Sequence, residues 1–449
     1  MSFSNLPKFV FIYLSSFLDL KSDATFSLIN KKYYGTFFHI RELYTILLRQ
    51  KDPPINLDQS ISQILKQSES SFSILHLICS DKKMSIEMIR YLVENKANLN
   101  LRDTHSYGVA LHYACKNEDF SPEIIKYMVE KKTDLNLRNQ YNCIPFHYAC
   151  ENKNTSIEII KCLVENKSDI NSKKSIDWTP LHLACENEDI SIEIIKYLVE
   201  NKSNLNSIGG YGDDSPLHVA CNNKNASTEM IKCLVENKAD LDLKTKYQIT
   251  SLHYACQNEN IPFEIIKYLV ENKAHLNAKN ESQFTPLDHA CENNKSSVEI
   301  IKYLVEKKAD INSKGLIDLT PLHRTCQSNN YPIEIIKYLV ENKAHLNSLN
   351  QNHDTPLHFA CGKSDASIEI IKYLIENKSD VNSNNKSQFT PLHLACRTRN
   401  FSIEVIKCLV DNKADFNQMN EEKISPLDVA KLNGNLFEKL RDCFGDIFF

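Results

Sequence analysis

The chain has 449 residues, a formal net charge of -4, 24% charged side chains and only nine glycines. Lys and Glu are interleaved rather than gathered into blocks, so no basic field exists to hold nucleic acid or an anionic membrane surface, and neither is expected as a partner. A length that would ordinarily mean two or three domains is divided instead between a short amino-terminal piece and a tandem repeat. In the repeat, Thr179-Pro180-Leu181-His182 and its variants return every 35 or 36 residues.

Residues 1–45 do not follow the repeat. They carry Leu6-Pro7, then Ile12, Leu14, Phe17-Leu18 and Leu20, and close on Ser27-Leu28-Ile29-Asn30-Lys31-Lys32-Tyr33-Tyr34. A Leu-Pro opening, a Leu-rich helix ending in Phe-Leu, and a Ser-x-x-x-x-Lys-x-aromatic close together resemble an F-box. The resemblance implies that Leu6, Pro7, Leu14 and Leu18 are exposed and bind the adaptor of a cullin-RING ubiquitin ligase. The alternative is a helical cap over the first repeat. The apolar run from Phe9 to Leu18 is far shorter than the roughly 20 residues of a membrane helix, so neither a membrane span nor a secretory signal is expected. Residues 46–71, with Pro53-Pro54 and a Ser-rich end, are expected to form a linker or amino-terminal cap.

From residue 72 to 449 one unit is copied eleven times, counting from Leu75-His76 to Ser425-Pro426-Leu427-Asp428. In the fourth copy, Thr179 caps and Pro180 opens a short, almost wholly apolar helix through Cys185. Ser191 then opens Ile192 to Glu200, whose apolar side chains cover more than half the helix circumference. Such a helix must be buried by neighbours on both sides. Its remaining strip, Glu193, Lys196 and Glu200, supplies weak ion pairs of about 0.2–0.5 kcal/mol each on the wet side. An extended stretch from Asn204 and a loop of varying sequence lead to the next cap.

Helix, turn, helix and extended finger, with Thr-Pro-Leu-His-x-Ala opening the first helix, resemble the ankyrin repeat, whose usual period is about 33. The resemblance implies an all-α solenoid of helix pairs joined by hairpin-like fingers, with a carboxy-terminal cap from about residue 435. Two departures stand out. The turn between the helices is longer, as at Glu186 to Ile190, and the glycine that usually ends the second helix is Lys at Lys96, Lys132, Lys167, Lys202, Lys238, Lys273, Lys308, Lys343, Lys378 and Lys413. A left-handed Lys costs about 1–2 kcal/mol, so the cap is expected to move back onto the Asn that precedes eight of these lysines.

Ten of the fifteen cysteines occupy one repeat position, so they follow the repeat and not a pairing pattern, which favours reduced thiols and a cytoplasmic protein, with the nucleus as alternative. His-x-x-Cys, as in His182 and Cys185, puts an imidazole and a thiol on one helical face in nine copies. Asp288 and Asp428 replace the His without a compensating ligand, so packing is expected and no metal or other cofactor. The tyrosines at one position of the second helix, such as Tyr91, Tyr127 and Tyr197, are expected at the edge of the core. No phosphate-cradling loop, nucleophile elbow or paired carboxylate pattern is present, so the chain is expected not to be an enzyme.

Binding should therefore reside where the copies differ. Just before each cap stand Cys143, Trp178, Asp214, Ile249, Phe284, Leu319, Asp354, Phe389 and Ile424, expected at the finger tips. Trp178 and Phe284 are the first candidates for anchors, with Ile249, Leu319, Phe389 and Ile424 beside them. The residue after each repeat Cys gives a second column, Lys116, Glu151, Glu186, Asn222, Gln257, Glu292, Gln327, Gly362 and Arg397. The resemblance implies that partners bind both. The expected function is a monomeric, non-catalytic module that binds a protein on the concave ankyrin face, with the amino-terminal segment bringing that target to a ubiquitin ligase. The alternative is a scaffold or inhibitor with no ligase connection.

Overall fold

The computed structural model of the chain describes residues 74–80, 86–94, 96–103, 105–119, 121–293, 298–327, 332–398, 402–432 and 434–444. It divides into two compact bodies, residues 1–141 and 142–449. Leu6, Pro7, Leu14 and Leu18 lie outside the described residues. Among the described residues there are 22 α-helices, one 3-10 turn at Leu316–Asp318 and no strand beyond an isolated bridge between Gly209 and Asp214. The architecture is an all-α repeat solenoid.

The first body carries the helix pairs Ile74–Ser80 with Ile86–Glu94 and Ala110–Lys116 with Pro122–Glu130. The second carries nine pairs, from Pro145–Glu151 with Ile157–Glu165 to Pro426–Leu432 with Gly434–Phe444. In the fourth repeat the first helix, Pro180–Glu186, buries every residue from Pro180 to Cys185. The second, Ile192–Glu200, buries Ile194, Ile195, Leu198 and Val199 and leaves Glu193, Lys196 and Glu200 in water. Each fully buried Leu or Ile is worth about 1.5–3 kcal/mol, so core stability accumulates repeat by repeat. The repeat cysteines are all buried. Burial pushes Cys79, Cys185, Cys221, Cys256, Cys291 and Cys361 upward, and Cys326 and Cys396 to about 12, so these thiols pack as small neutral groups.

The repeat His joins three parts of the chain. Thr179 donates its backbone N–H to Nδ1 of His182 at 3.1 Å and its hydroxyl to the same atom at 2.8 Å, which caps the helix. With Nδ1 accepting, the ring proton sits on Nε2 and is donated to the Asp214 carbonyl, 3.0 Å away at the end of the following finger. His218, His253, His323, His358 and His393 reach the carbonyls of Ile249, Phe284, Asp354, Phe389 and Ile424 in the same way, at 3.0–3.2 Å. A second ladder links the ends of successive first helices. Asn187, Asn223, Asn258 and Asn293 donate Nδ2 to the carbonyls of Cys150, Cys185, Cys221 and Cys256.

The helix ends correct one expectation. The Asn does not become left-handed; Asn201 keeps φ -88° and ψ 21°, and its Nδ2 donates back to the Tyr197 carbonyl at 2.8 Å. Lys202 takes the left-handed position at φ 67°, and all ten lysines at this place have φ between 62° and 76°. The bonds Lys202 N–H to Val199 O and Ser203 N–H to Leu198 O, 3.0 and 3.1 Å, close a Schellman turn. The lysine carbonyl gains a further partner, since Asn171 of the preceding repeat donates Nδ2 to Lys202 O at 3.3 Å. Asn277, Asn312, Asn347 and Asn382 do the same for Lys308, Lys343, Lys378 and Lys413. The backbone strain is thus held by a bond between repeats.

Two outcomes follow from this frame. Burial lowers His147, His182, His218, His253 and His323 from the ordinary 6.5 to about 4. Between those values the unfolded chain binds more protons than the folded one, so stability present above pH 6.5 is lost as pH falls toward 4. Urea midpoints measured across that range should drop steeply, and a flat profile would contradict the bonding scheme. Replacing Lys202, Lys273 and Lys343 with Gly should raise the midpoint by roughly 0.5–1 kcal/mol per site, the relief of left-handed strain exceeding the added unfolded-state freedom.

Candidate partner-binding surface

Most fingers turn through three residues, and the one closed between Gly209 and Asp214 turns through four. In the third repeat the Lys174 amide donates to the Trp178 carbonyl at 3.0 Å, the Asp177 amide donates to Lys174 O, and Asp177 is left-handed at φ 59°. Ser175, Ile176 and Asp177 are therefore the apex, and Trp178 lies one step inboard. The same offset applies to the other residues expected at the tips. Ile249, Phe284, Phe389 and Ile424 are half-buried and Leu319 is buried, with 6% exposure. Their carbonyls are occupied by the frame, as acceptors from the repeat histidines or from their own turn. The polar members also face inward, since Asp214 Oδ1 accepts from Tyr254 Oη at 3.0 Å and Asp354 Oδ1 accepts from Asn385 Nδ2 at 2.9 Å.

Trp178, the only tryptophan, is wedged between units. Its ring stacks on His182 with centroids 5.8 Å apart and planes at 14°, and Lys174 Nζ lies 5.3 Å from its centroid. The other side is closed by the backbone of the next finger. A Cβ on Gly210, at φ 80°, would stand 2.6 Å from Trp178 Nε1, and one on Gly209 would stand 2.6 Å from the Asp177 carbonyl oxygen. Phe284 repeats the device: Arg324 lies 3.8 Å over its ring, and a Cβ on Gly315 would meet the ring at 2.4 Å. Bulk before one cap is matched by glycine in the following finger, which is a packing relation between repeats.

What the fingers offer outward is a different set. In the second body, Tyr211 is 87% exposed on the Gly209–Gly212 hairpin, and Tyr247, Leu316 and Ile317 are exposed at or beside their apices. The sequence signal for this register is the Asn or Asp one place before Cys143, Trp178, Asp214 and Leu319, residue types that tolerate a left-handed turn; before Ile249 and Phe284 the same place holds Gln, which gives no such signal. Adjacent fingers pair through one backbone bond, such as Gly210 N–H to Ile176 O at 2.6 Å and Lys246 N–H to Gly212 O at 2.7 Å.

The polar column is placed as expected from helical spacing. Lys116 is exposed in the first body. In the second, Glu151, Glu186, Asn222, Gln257, Glu292, Gln327, Gly362 and Arg397 are all exposed at the ends of their first helices. Burial and the nearby Glu151 carboxylate raise Glu186 above the usual carboxylate range, while Lys174 opposes them. Beside this column runs another that spacing should have revealed, the x of His-x-Ala-Cys. It holds Tyr148, Val219, Tyr254, Phe359 and Leu394, half-buried, with Leu183, His289 and Arg324 buried. These rings pack edge-on against the repeat histidine of the preceding unit, Tyr254 on His218 at 5.8 Å and Phe359 on His323 at 5.6 Å. The outer second helices differ again: Tyr197, Tyr268, Tyr338 and Tyr373 each take a Lys from the preceding repeat 5.5–5.8 Å from the ring centre.

Among the described residues no cluster of His, Cys, Asp and Glu is arranged to hold a metal ion, and no helix is long and apolar enough to cross a membrane. A Gly209→Ala substitution should cost roughly 1–3 kcal/mol, because backbone rather than a flexible side-chain end must give way. Trp178→Ala should cost about 2–3 kcal/mol. The fluorescence of the single tryptophan reports the first change directly, and an unshifted spectrum in Gly209→Ala would contradict the wedge.

The model for ankyrin repeats (3 copies) matches residues 43–139, 111–209, 146–245, 217–315, 316–385 and 363–443. No curated protein matches the chain. Among solved structures, the human ASB11 ankyrin repeat domain is 27% identical over 52% of this chain and 99% of its own, with a TM-score of 0.45. With matched segments running from residue 43 to 443, the chain belongs to the ankyrin repeat family.

Proposed function

We propose that the chain binds a protein partner, as a monomer and without catalysis, through the face made by its first helices and fingers. The observation that carries the reading is the contrast between two kinds of position within each repeat. Thr179, Leu181, His182 and Cys185 are buried and nearly constant from copy to copy, whereas Glu151, Glu186, Asn222, Gln257 and Glu292 are exposed and differ. Packing does not decide the second set, and a row of differing side chains on a rigid frame can discriminate among partners. Tyr211, Tyr247, Leu316 and Ile317 add apolar contact area to the polar column. Trp178, Phe284, Ile249, Leu319, Phe389 and Ile424 contribute by setting the finger geometry and through whatever edge they leave exposed.

The finer reading joins this face to ubiquitylation. Leu6, Pro7, Leu14 and Leu18 would engage a ligase adaptor while residues 142–444 hold the target, so the chain supplies geometry and other subunits supply chemistry. Its support is the F-box-like residue pattern of the amino-terminal segment. The competing reading is an ankyrin scaffold or inhibitor in which residues 1–71 only close the array.

Changing Glu151, Glu186 and Gln257 together to Arg should leave the unfolding midpoint within about 0.5 kcal/mol of wild type, since all three are exposed and none pairs with a buried charge. The same change should reduce recovery of the specific partner in a pull-down at least about tenfold. Unchanged recovery with an unchanged fold would remove the first-helix face from the account. Deleting residues 1–45 should abolish co-purification with the adaptor and spare target binding. If the full chain never retains the adaptor, the ligase reading fails and the scaffold reading stands.

A further inference from the structure

We propose that the joint between the seventh and eighth repeats is a built-in hinge, at which residues 142–319 and 320–444 of the second body move as two blocks. The repeat template is broken there on one side only. At the other joints from His182 onward, the imidazole donates Nε2–H to the carbonyl that ends the next finger. The seventh repeat carries Asp288. Its Oδ2 still accepts from the Thr285 amide at 2.9 Å and hydroxyl at 2.8 Å, so the cap survives. A carboxylate has no proton to donate onward, and it meets the next finger only by accepting from Ser313 Oγ at 3.0 Å. The Leu319 carbonyl is left to the Gly315 amide of its own turn.

In place of the missing bond stands Arg324, on the first helix of the eighth repeat. Its Nε is 3.5 Å from Asp288 Oδ1 and its Nη1 is 3.5 Å from Glu292 Oε1; Arg324 and Asp288 are 4% and 0% exposed, whereas Glu292 is 56% exposed and its pair is screened by water. Asp288 Oδ1 and Arg324 Nε and Nη2 make no hydrogen bond, although all are buried. An ion pair without completed hydrogen bonds recovers little of its desolvation cost. Asn293 serves the joint before, and from the eighth repeat onward the sequence has no asparagine at the ladder position, with Ser328, Lys363 and Thr398 there instead. Thr398 Oγ1 donates to Ala395 of its own helix.

The opposite side of the same joint is intact. Asn312 Oδ1 accepts from the His345 amide at 2.8 Å and its Nδ2 donates to Lys343 O at 3.2 Å. The fingers stay paired through Gln351 N–H to Ile317 O at 2.8 Å. A joint held by backbone bonds along the fingers and loops, and by an incompletely bonded charge pair between the first helices, opens about the finger side. Ile317 at φ 59°, a left-handed β-branched residue beside a left-handed Asp318, marks strain at that pivot.

Hydrogen exchange on the full chain tests the hinge without knowledge of a partner. Wild type should show two protection levels, with the step between Leu319 and Pro321. Asp288→His combined with Arg324→Leu restores the imidazole bond and the apolar residue found at Leu183 and Leu394, and should raise the weaker block about tenfold, toward the stronger. Arg324→Leu alone strands the buried carboxyl and should lower it by about as much or more. A single protection level across residues 142–444, a step at another joint, or equal profiles in wild type and both variants would each overturn the proposal. None of these outcomes depends on whether the first-helix face binds a protein.

Discussion

One imidazole in nine of the eleven repeats sets the spacing of everything around it. His182 accepts at Nδ1 from the cap that starts its helix and donates from Nε2 to the finger that leads to the next. Only a group with both an acceptor and a donor on a rigid ring can do this, and only while neutral. The surrounding burial that depresses its protonation also supplies the low polarity in which two such bonds matter. Helix start, finger end and neighbouring helix are therefore determined together, and the register of each repeat passes to the next.

Because the frame is closed internally, its most chemical-looking residues are not available for chemistry. The buried repeat thiols are held far from ionisation, and His182 and its counterparts have both ring nitrogens engaged. The exposed residues that differ most from copy to copy lie at the ends of the first helices and at the apices of the fingers, whereas the exposed strip of each second helix repeats the same Glu and Lys. Function then reduces to which side chains the frame holds out, and on what spacing. Where the frame itself is altered, at Asp288, Arg324 and Gly315, the change concerns how rigidly those side chains are held relative to one another.

The repeat unit, both its helices and their buried faces were legible in the sequence, because periodicity of apolar residues and the Thr-Pro start are local signals. The polar column at Glu151 to Arg397 was legible for the same reason: it is fixed by helical spacing from a buried Cys. The fingers were not. Placing Trp178 at an apex treated the residue before the cap as the most distant one, whereas the turn closes on its carbonyl, and a hydrogen-bonded turn has no periodicity to betray its register. The left-handed Lys202 was missed because propensity argued against it. The bond that holds it comes from Asn171, one repeat away, and contacts of that range are invisible to local reasoning. The pairing of Trp178 with Gly209 and Gly210 is of the same kind.

The double use of the repeat histidine is tested most directly by substituting His218 with Asp and with Ala in the full chain and measuring urea midpoints. Asp keeps the acceptor for the Ser215 cap and loses the donor to Ile249 O; Ala loses both. The account predicts an ordered loss, His above Asp above Ala, with about 1–3 kcal/mol separating each step. Midpoints that are equal for Asp and Ala, or unchanged from His in either, would contradict it.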